Sequence, residues 1–245
     1  MGYFGSSEHV QDYAIQNVAV RLRHHPNVFP PSPFGLRFAE VLDLRAGERV
    51  ADIGTGTGLL GILAAKKGAR EVIATDTSAA AVELAGFNAR HLNAVEQMAV
   101  VQGSFFGEVS GCFDAIVANL PQEMVPPAYL DDLNADQAQA LCGGSRGGNE
   151  LLLEFLELAP RHMHAGSRLY IIVNTITDYK ATLAAIGRNY RSTLVWEGVA
   201  PTKDFVAAHL GWFRERLDTG MIDIFTNPDG RWHARQFVYE LSRLS

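Results

Sequence analysis

A glycine-rich segment constrains this chain more than any other part of it. The segment reads Val50-Ala51-Asp52-Ile53-Gly54-Thr55-Gly56-Thr57-Gly58. An apolar strand precedes the glycines and a helical pattern follows them, so the glycines lie in a strand-to-helix turn. Glycine tolerates positive φ and has no side chain, which lets the backbone approach a ligand closely. The dinucleotide fingerprint is G-x-G-x-x-G. Here the spacing is G-x-G-x-G after Asp52, and a carboxylate there would repel a pyrophosphate but suit a cationic ligand.

The rest of the chain alternates between strand and helix patterns. The predicted helices are 8–23, 36–44, 59–67, 79–92, 150–164 and 179–187, and the predicted strands are 50–53, 71–75, 98–102, 114–119 and 169–174. Strands that are apolar throughout and alternate with helices indicate a parallel sheet covered on both faces. Near the end, strand patterns at 194–198, 222–225 and 233–241 and a turn at 227–230 predict an antiparallel hairpin at one edge.

A second acidic residue follows the next strand of the pattern. Strand 71–75 runs directly into Asp76. A carboxylate at that point of a nucleotide-binding fold can accept hydrogen bonds from both hydroxyls of a ribose.

The pattern D-x-G-x-G-x-G, followed by a strand that ends in an aspartate, resembles the class I S-adenosylmethionine-dependent methyltransferases over roughly residues 36–190. The resemblance implies a Rossmann-like α/β fold with a mostly parallel, seven-stranded sheet, helices on both faces and an antiparallel edge hairpin. It implies S-adenosyl-L-methionine as the cofactor. Asp52 would lie near the cofactor's ammonium group or a bridging water, Asp76 would hold the ribose, and Thr77 would flank the adenine.

In the same family an acidic residue after the third strand often meets the adenine amine. Here Ser104 replaces it, and Phe105 is expected to stack on the base. The resemblance thus implies a set of cofactor-binding residues, which comprises Asp52, Gly54, Thr55, Gly56, Gly58, Asp76, Thr77, Ser104, Phe105 and Asn119.

The strand 114–119 ends in Asn119-Leu120-Pro121-Gln122-Glu123. This resembles the N-P-P-Y signature of methyltransferases that act on planar nitrogens, and it is most similar to the HemK-type branch, although N-L-P also resembles certain tRNA guanine-N1 methyltransferases. An asparagine amide oxygen and the next carbonyl can accept both hydrogens of an NH₂ group. Asn119 and Pro121 are therefore predicted to be catalytic, with Glu123 as a proton acceptor or amine anchor.

Residues 122–149 are predicted to form a loop insertion at the mouth of the site, with the glycines at 143–148 as a hinge. The acceptor is expected to contact Leu120, Gln122, Tyr129 and Arg146. Residues 1–35 are predicted to be an N-terminal lid or substrate-recognition segment, and residues 36–245 the methyltransferase domain. The aromatic residues expected to fold over the cofactor are Tyr3, Phe4, Tyr13 and Phe29.

Composition excludes several classes of protein. The chain has 21 Lys and Arg against 27 Asp and Glu, a net charge of −6, which weakens the case for an RNA substrate. Cys112 and Cys142 cannot form a disulfide framework or a zinc ribbon, and the eight histidines show no metal-ligand spacing. The start does not resemble a signal peptide and no apolar run approaches a membrane span, so a cytoplasmic protein without membrane association is expected.

The favoured function is therefore nitrogen methylation of a small-molecule or amino-acid-like acceptor. Methylation of RNA or of a ribosome-associated, release-factor-type protein stays open, as does methylation of oxygen. The altered N-L-P-Q motif also leaves open a non-catalytic cofactor-binding protein. A homodimer is compatible with the sequence, but the sequence does not determine the oligomeric state or the acceptor.

Overall fold

The computed structural model describes residues 8–107, 109–144 and 146–244, with the backbone alone at Asp136. Tyr3 and Phe4, which were predicted to form part of a lid, lie outside the described residues. The chain groups into two compact units, each described by itself. The first unit comprises the chain up to Asn119 together with Ala159–Ile171, and the second comprises Leu120–Leu158 and Ile172–Leu244.

The first unit opens with an antiparallel hairpin. Its strands are β1 (Val10–Ile15) and β2 (Val18–Arg23). The two residues between them, Gln16 and Asn17, have φ of 50° and 65°. Positive φ at both central positions is typical of the two-residue turn whose twist matches that of paired strands.

The predicted helix over 8–23 is therefore wrong. The helix was predicted from apolar residues four positions apart, Val10, Ala14, Val18 and Leu22. This spacing also satisfies the two-residue period of a strand, so the pattern does not distinguish the two structures. In the hairpin the buried side chains are Ile15, Val20 and Leu22, whereas Val10 is 50% exposed.

Helix α1 (Pro33–Val41) begins three residues before the predicted helix. Ser32 is its N-cap, and the Ser32 hydroxyl accepts a hydrogen bond from the Gly35 amide at 3.0 Å. Proline is favoured in the first turn because its missing N–H would have no partner there. The proline-rich segment 29–35 therefore contains the start of this helix.

The parallel sheet of the first unit follows. Its strands are β3 (Arg49–Ile53), β4 (Glu71–Asp76), β5 (Met98–Gln102), β6 (Phe113–Ala118) and the first part of β7 (Met163–Asn174). They pair in the spatial order β5-β4-β3-β6-β7, and every neighbouring pair is parallel. The connecting helices are α2 (Leu59–Lys66) and α3 (Ala79–Phe87), and α3 continues into a π-helical turn, Asn88–Leu92.

The second unit contains the remaining helices and the antiparallel strands. They are α4 (Pro127–Leu130), α5 (Ala135–Leu141), α6 (Glu150–Leu158), α7 (Tyr179–Asn189), β8 (Tyr190–Pro201), α8 (Asp204–Ala208), α9 (Leu210–Asp218), β9 (Ile224–Thr226) and β10 (Trp232–Arg243). Strand β10 neighbours the end of β7 and pairs antiparallel with both β8 and β9. The predicted mostly parallel α/β sheet with an antiparallel hairpin is confirmed. It has eight described strands where seven are predicted, because β9 also pairs with β10.

Two predicted boundaries change in this part of the chain. The segment 122–149, predicted as a loop, contains α4 and α5, and α5 begins with a capping box between Asn134 and Gln137. The helix predicted over 150–164 ends at Leu158 and gives way to a 3₁₀ turn, so His164 lies in β7. Across the described ranges, no helix is both long and apolar enough to cross a membrane.

Candidate active site

Three neighbouring strands of the first unit end at the same level. Ile53 of β3 pairs with Thr75 of β4 and with Ala118 of β6. The residues that follow are Gly54, Asp76 and Asn119. In open parallel sheets ligands bind just outside the carboxyl ends of the strands. The register therefore brings the glycine segment, the second acidic residue and the asparagine motif to one edge of the sheet.

The glycine segment forms a turn with left-handed backbone. Gly54, Gly56 and Gly58 have φ of 72°, 53° and 88°, and the amides of Gly54 and Thr55 both donate to the Thr75 carbonyl at 2.9 Å. A Cβ on Gly58 would lie 3.2 Å from Ala85, whereas a Cβ on Gly56 would meet no described atom within 4 Å. Gly58 is needed for helix packing, and Gly56 leaves open space where backbone can meet a ligand.

Asp52 carries a buried carboxylate that is only partly satisfied. It is 1% exposed, and its Oδ2 accepts hydrogen bonds from the Thr55 hydroxyl at 2.7 Å and the Gly61 amide at 2.8 Å. Its Oδ1 is buried and has no hydrogen-bond partner among the described residues. Burial raises the pKa of Asp52 to about 6, even though the two hydrogen bonds act in the opposite direction. A half-satisfied buried carboxylate suits a cationic partner.

Asp76 connects the glycine segment to the start of α3. Its Oδ2 accepts from the Gly56 amide and its Oδ1 from the Ser78 amide, both at 3.0 Å. Burial raises the pKa of Asp76, and these backbone hydrogen bonds oppose the rise. Ser78 is also the N-cap of α3. Thr77 is exposed, and its carbonyl accepts from the Gln102 side chain at 3.1 Å.

The segment after β5 carries a strained residue. Phe105 has φ of 49°, a left-handed conformation that costs a residue other than glycine about 1–3 kcal/mol. The Thr75 hydroxyl donates to the Phe105 carbonyl and holds this conformation in place. The Phe105 ring is 7% exposed, so little of its face is free for stacking, and its role toward adenine stays a prediction. Ser104 is exposed.

Asn119 is exposed at the end of β6, and the beginning of α1 lies beside it. A Cβ on Gly35 would be 3.4 Å from the Asn119 Nδ2 atom. Sequence reasoning missed this neighbour because Gly35 lies in a proline-rich segment with no periodic pattern, far from Asn119 along the chain. A side chain at position 35 would thus contact the Asn119 amide.

In the second unit, glycines pack against the residues that follow Asn119. A Cβ on Gly143 would lie 2.6 Å from the Pro121 carbonyl oxygen, and one on Gly148 would lie 2.7 Å from the Met124 nitrogen. These separations are far too short for a real Cβ. The glycines, predicted as a hinge, thus allow tight packing against the Pro121–Met124 segment, and hinge motion stays a prediction.

The acceptor residues predicted in this segment have defined surroundings. Leu120 is buried, and Gln122 is 8% exposed. Within residues 8–107, 109–144 and 146–244, the buried Gln122 Oε1 has no hydrogen-bond partner. Glu123 forms an ion pair with Lys203 at 2.9 Å, a partner that the sequence did not indicate. Its role as a proton acceptor stays a prediction.

Tyr129 and Arg146, also predicted to contact the acceptor, lie further along the second unit. The Tyr129 ring stacks on Phe205 with centroids 4.8 Å apart, and burial raises the pKa of the Tyr129 hydroxyl. The side chain of Arg146 is exposed, and its backbone amide donates to Glu150 Oε1 at 2.7 Å. As for metals, the part of the chain that is described contains no group of three His, Cys, Asp or Glu residues that could hold an ion.

A glycine turn, two acidic strand ends and an asparagine at the carboxyl edge of a parallel sheet define a Rossmann-like cofactor-binding enzyme. Comparison with known proteins agrees. The family model for ribosomal protein L11 methyltransferase (PrmA) matches residues 34–130. A protein of Methanocaldococcus jannaschii named "Putative protein N5-glutamine methyltransferase" is 31% identical over 169 residues, which cover 69% of this chain and 83% of that protein. The ribosomal protein L11 methyltransferase of Lactobacillus delbrueckii is 45% identical over 76 residues, which cover 31% of this chain and 24% of that protein.

Solved structures give the same fold. The 16S rRNA N2 G1207 methyltransferase of T. thermophilus, in complex with AdoMet and guanosine, has a TM-score of 0.61 and 17% identity, and the match covers 98% of this chain and 52% of that one. The M. jannaschii tRNA m1G37 methyltransferase has a TM-score of 0.59 and 13% identity over 98% of this chain and 59% of that one. This chain thus spans about half of these two structures and about a quarter of the L11 methyltransferase named above.

The chain belongs to the class I S-adenosylmethionine-dependent methyltransferases, close to their HemK-type branch. It is an N-methyltransferase with S-adenosyl-L-methionine as its cofactor. The residues present fit this group. The Asp52 Oδ1 atom, which has no hydrogen-bond partner in the described part of the chain, suits its ammonium. The open side of Gly56 leaves room for it, and Asp76 is a carboxylate suited to its ribose.

Proposed function

We propose that this enzyme methylates the side-chain amide nitrogen of a glutamine in a protein. The observation that carries the proposal is Asn119-Leu120-Pro121 at the end of β6, at the same sheet edge as the glycine turn. The Methanocaldococcus relative, matched over 83% of its length, is named for this reaction. The small-molecule acceptor favoured from the sequence gains no support from the relatives named above, which are protein or RNA methyltransferases by name.

An amide nitrogen is a weak nucleophile because its lone pair is delocalised into the carbonyl group. The Asn119 amide oxygen and the Leu120 carbonyl are two acceptors that can take both hydrogens of the incoming NH₂ group. Holding both hydrogens orients the nitrogen for in-line attack, and such positioning alone contributes large factors in rate. Pro121 has no N–H that could compete for these acceptors and restricts the backbone that presents them.

S-adenosylmethionine, when bound, supplies a methyl group on a positively charged sulfur. The acceptor nitrogen gains the carbon–nitrogen bond as the carbon–sulfur bond breaks, and one amide proton must leave. We assign that proton to Glu123, whose carboxylate pairs with Lys203 at 2.9 Å. The products are an N-methyl amide, S-adenosylhomocysteine and a proton.

Gln122 favours an amide acceptor over a nucleobase. At this position the N-P-P-Y signature has an aromatic residue, whose ring suits a flat substrate. Here the side chain is a nine-tenths buried amide whose Oε1 has no hydrogen-bond partner among the residues that the structure describes. An amide at this position offers hydrogen bonding in place of a stacking surface.

The test uses S-adenosylmethionine with an isotopically labelled methyl group. The enzyme is incubated separately with a denatured cellular protein extract, total RNA and a metabolite extract, and mass spectrometry locates the label. We expect label on glutamine side chains of protein. Label confined to RNA bases or to a metabolite would overturn the proposal.

The matched variants are Asn119→Ala and Asn189→Ala, the second at the exposed last residue of α7. Asn119→Ala is expected to lower kcat by about 10²-fold with little change in cofactor affinity, because it removes positioning of the acceptor. Asn189→Ala is expected to behave as the unmodified enzyme. Equal turnover in both variants would reject the role of Asn119.

A further inference from the structure

A cavity of about 310 Å³ opens between the N-terminal hairpin and the start of α1 in the first unit. The hairpin and the histidines next to its ends supply imidazole, phenol and amide groups, and the segment 28–36 supplies apolar walls. The polar lining residues are His9, Gln11, Tyr13, His24 and His25, and the apolar ones include Val28, Pro30 and Pro33. Ligand pockets measure about 300–1,000 Å³, so this one fits a single side chain.

One wall of the cavity consists of planar side chains that contact each other. The His9 and His24 rings stack with centroids 4.5 Å apart and planes 7° from parallel. The Tyr13 hydroxyl and His24 Nε2 are hydrogen-bonded at 3.1 Å. His24 is 4% exposed, and its Nδ1 is buried without a hydrogen-bond partner among the described residues.

Burial favours the uncharged forms of two groups in this wall, His24 and Tyr13. Burial lowers the pKa of His24, the neighbouring His9 lowers it further, and burial raises the pKa of Tyr13. The described residues that line the cavity include no lysine, arginine, aspartate or glutamate. A phosphate group would find no cation there, whereas RNA-binding sites use cations to contact the backbone.

The cavity adjoins the acceptor-binding asparagine. Pro33 and Leu36 line it from the first turn of α1, and between them Gly35 lies against the Asn119 amide. One helical turn rises about 5.4 Å, so the cavity and Asn119 are neighbours across that turn. One acceptor molecule can therefore reach both the cavity and Asn119.

We infer that this cavity binds an uncharged aromatic side chain with a hydrogen-bonding group, a tyrosine or tryptophan of the acceptor protein close to the methylated glutamine. The inference rests on the proposed function. Stacked imidazoles and proline rings favour a flat ring. The His24 Nδ1 atom, which has no hydrogen-bond partner within the described residues, favours a ligand that brings one polar group. The N-terminal hairpin is then the specificity-determining part of the enzyme.

The first test measures binding without catalysis. The enzyme is labelled with ¹⁵N-histidine, and histidine signals are followed by NMR during titration with N-acetyl-L-tyrosinamide, N-acetyl-L-aspartic acid amide or adenosine monophosphate. We expect saturable shifts of the His9 and His24 signals with the tyrosine probe alone. Absence of these shifts, or equal or larger shifts with adenosine monophosphate, would overturn the inference.

The variants are His9→Ala, which removes one stacked ring from an exposed position, and His91→Ala, which removes an exposed ring that contacts Phe87 outside the cavity. His9→Ala is expected to weaken tyrosine-probe binding about 2- to 10-fold, the effect of losing one aromatic pair. His91→Ala is expected to leave it unchanged. Equal binding by both variants would contradict the assignment of the wall.

The second test compares glutamine peptides that differ only in a flanking tyrosine or glycine. We expect kcat/KM to be higher for the tyrosine peptide and the preference to shrink in His9→Ala. Methylation of both peptides at equal rates would refute the inference and leave the proposed function standing. Methylation of neither, with label instead on RNA or a metabolite, would refute the proposed function and with it the inference.

Discussion

Replacing Asp52 by asparagine tests whether this carboxylate is kept for the cofactor at a cost in stability. The pKa of Asp52 is raised from 3.8 to about 6 by burial. A pKa shift of one unit corresponds to about 1.4 kcal/mol. Above pH 6 the ionised Asp52 carboxylate therefore lowers the free energy of unfolding by about 3 kcal/mol. The cost is absent below the unfolded-state pKa, because the carboxyl is then protonated in both states.

The exchange also introduces an opposing effect. The asparagine oxygen can keep the hydrogen bonds from Thr55 and Gly61, but its NH₂ group then occupies the place of Oδ1, which has no partner among the described residues. An unsatisfied buried donor costs about 1–3 kcal/mol. The asparagine NH₂ group does not titrate, so its cost does not depend on pH. Any change with pH in the difference in unfolding free energy between Asp52→Asn and the unmodified protein therefore comes from the Asp52 carboxylate.

The assay is denaturant unfolding without cofactor at pH 5.0 and 7.5, with Asp218→Asn at an exposed position as the control. The ionised Asp52 carboxylate lowers the free energy of unfolding by about 3 kcal/mol at pH 7.5 and by roughly half as much at pH 5.0. The free energy of unfolding of Asp52→Asn, relative to the unmodified protein, is therefore expected to rise by about 1–2 kcal/mol between these pH values. A pH-independent difference would refute the reasoning.

Cofactor binding has the opposite pH dependence. An ammonium group near Asp52 favours the ionised carboxylate, so binding releases the proton that Asp52 holds below about pH 6. Affinity for S-adenosylhomocysteine, measured by calorimetry, is expected to fall as pH drops below 6, by up to about tenfold per pH unit. In Asp52→Asn the affinity is expected to be lower and this dependence to disappear.

Three further substitutions address the supporting residues. Asp76→Ala is expected to weaken cofactor binding by about 1–3 kcal/mol in calorimetry, the scale for hydrogen bonds to a charged group, and unchanged affinity would argue against ribose binding. Gly58→Ala is expected to lower the melting temperature more than Gly56→Ala. Both glycines have positive φ, but only at Gly58 would the added Cβ lie 3.2 Å from Ala85. Equal melting temperatures of the two variants would contradict this expectation. Asn88→Ala is expected to cost about 1–3 kcal/mol of unfolding free energy by leaving the Arg23 amide and the Thr57 carbonyl unpaired, and a loss below 0.5 kcal/mol would contradict the assignment.

Asn88 also shows how the hairpin is held. It is fully buried, its side-chain oxygen accepts from the Arg23 amide at 2.8 Å, and its nitrogen donates to the carbonyls of Arg23 and Thr57. Asn93 makes a similar pair of hydrogen bonds with the backbone of Arg21. Asn88 and Asn93 thus hold β2 in place through hydrogen bonds, and Asn88 also contacts the glycine turn at the Thr57 carbonyl. A recognition role for the hairpin therefore does not require it to move as a lid.

The sequence by itself determined the parallel strands, the glycine turn and the acidic residues at the strand ends. Those features depend on residues close together in the chain: periodicity selects a buried strand, and glycine spacing selects a turn. The ends of parallel strands then meet at one edge by geometry, which places Asp52, Asp76 and Asn119 near each other without further information.

Only the tertiary structure decided the N-terminal hairpin, the contact of Gly35 with Asn119 and the cavity. At 8–23 the apolar spacing satisfied helix and strand equally, and pairing with a partner strand decided between them. The asparagine hydrogen bonds that hold that hairpin join residues far apart in the chain, 65 positions for Arg23 and Asn88 and 72 for Arg21 and Asn93. Interactions over such separations leave no local pattern, because they form only when the packing of the whole unit brings the two residues together.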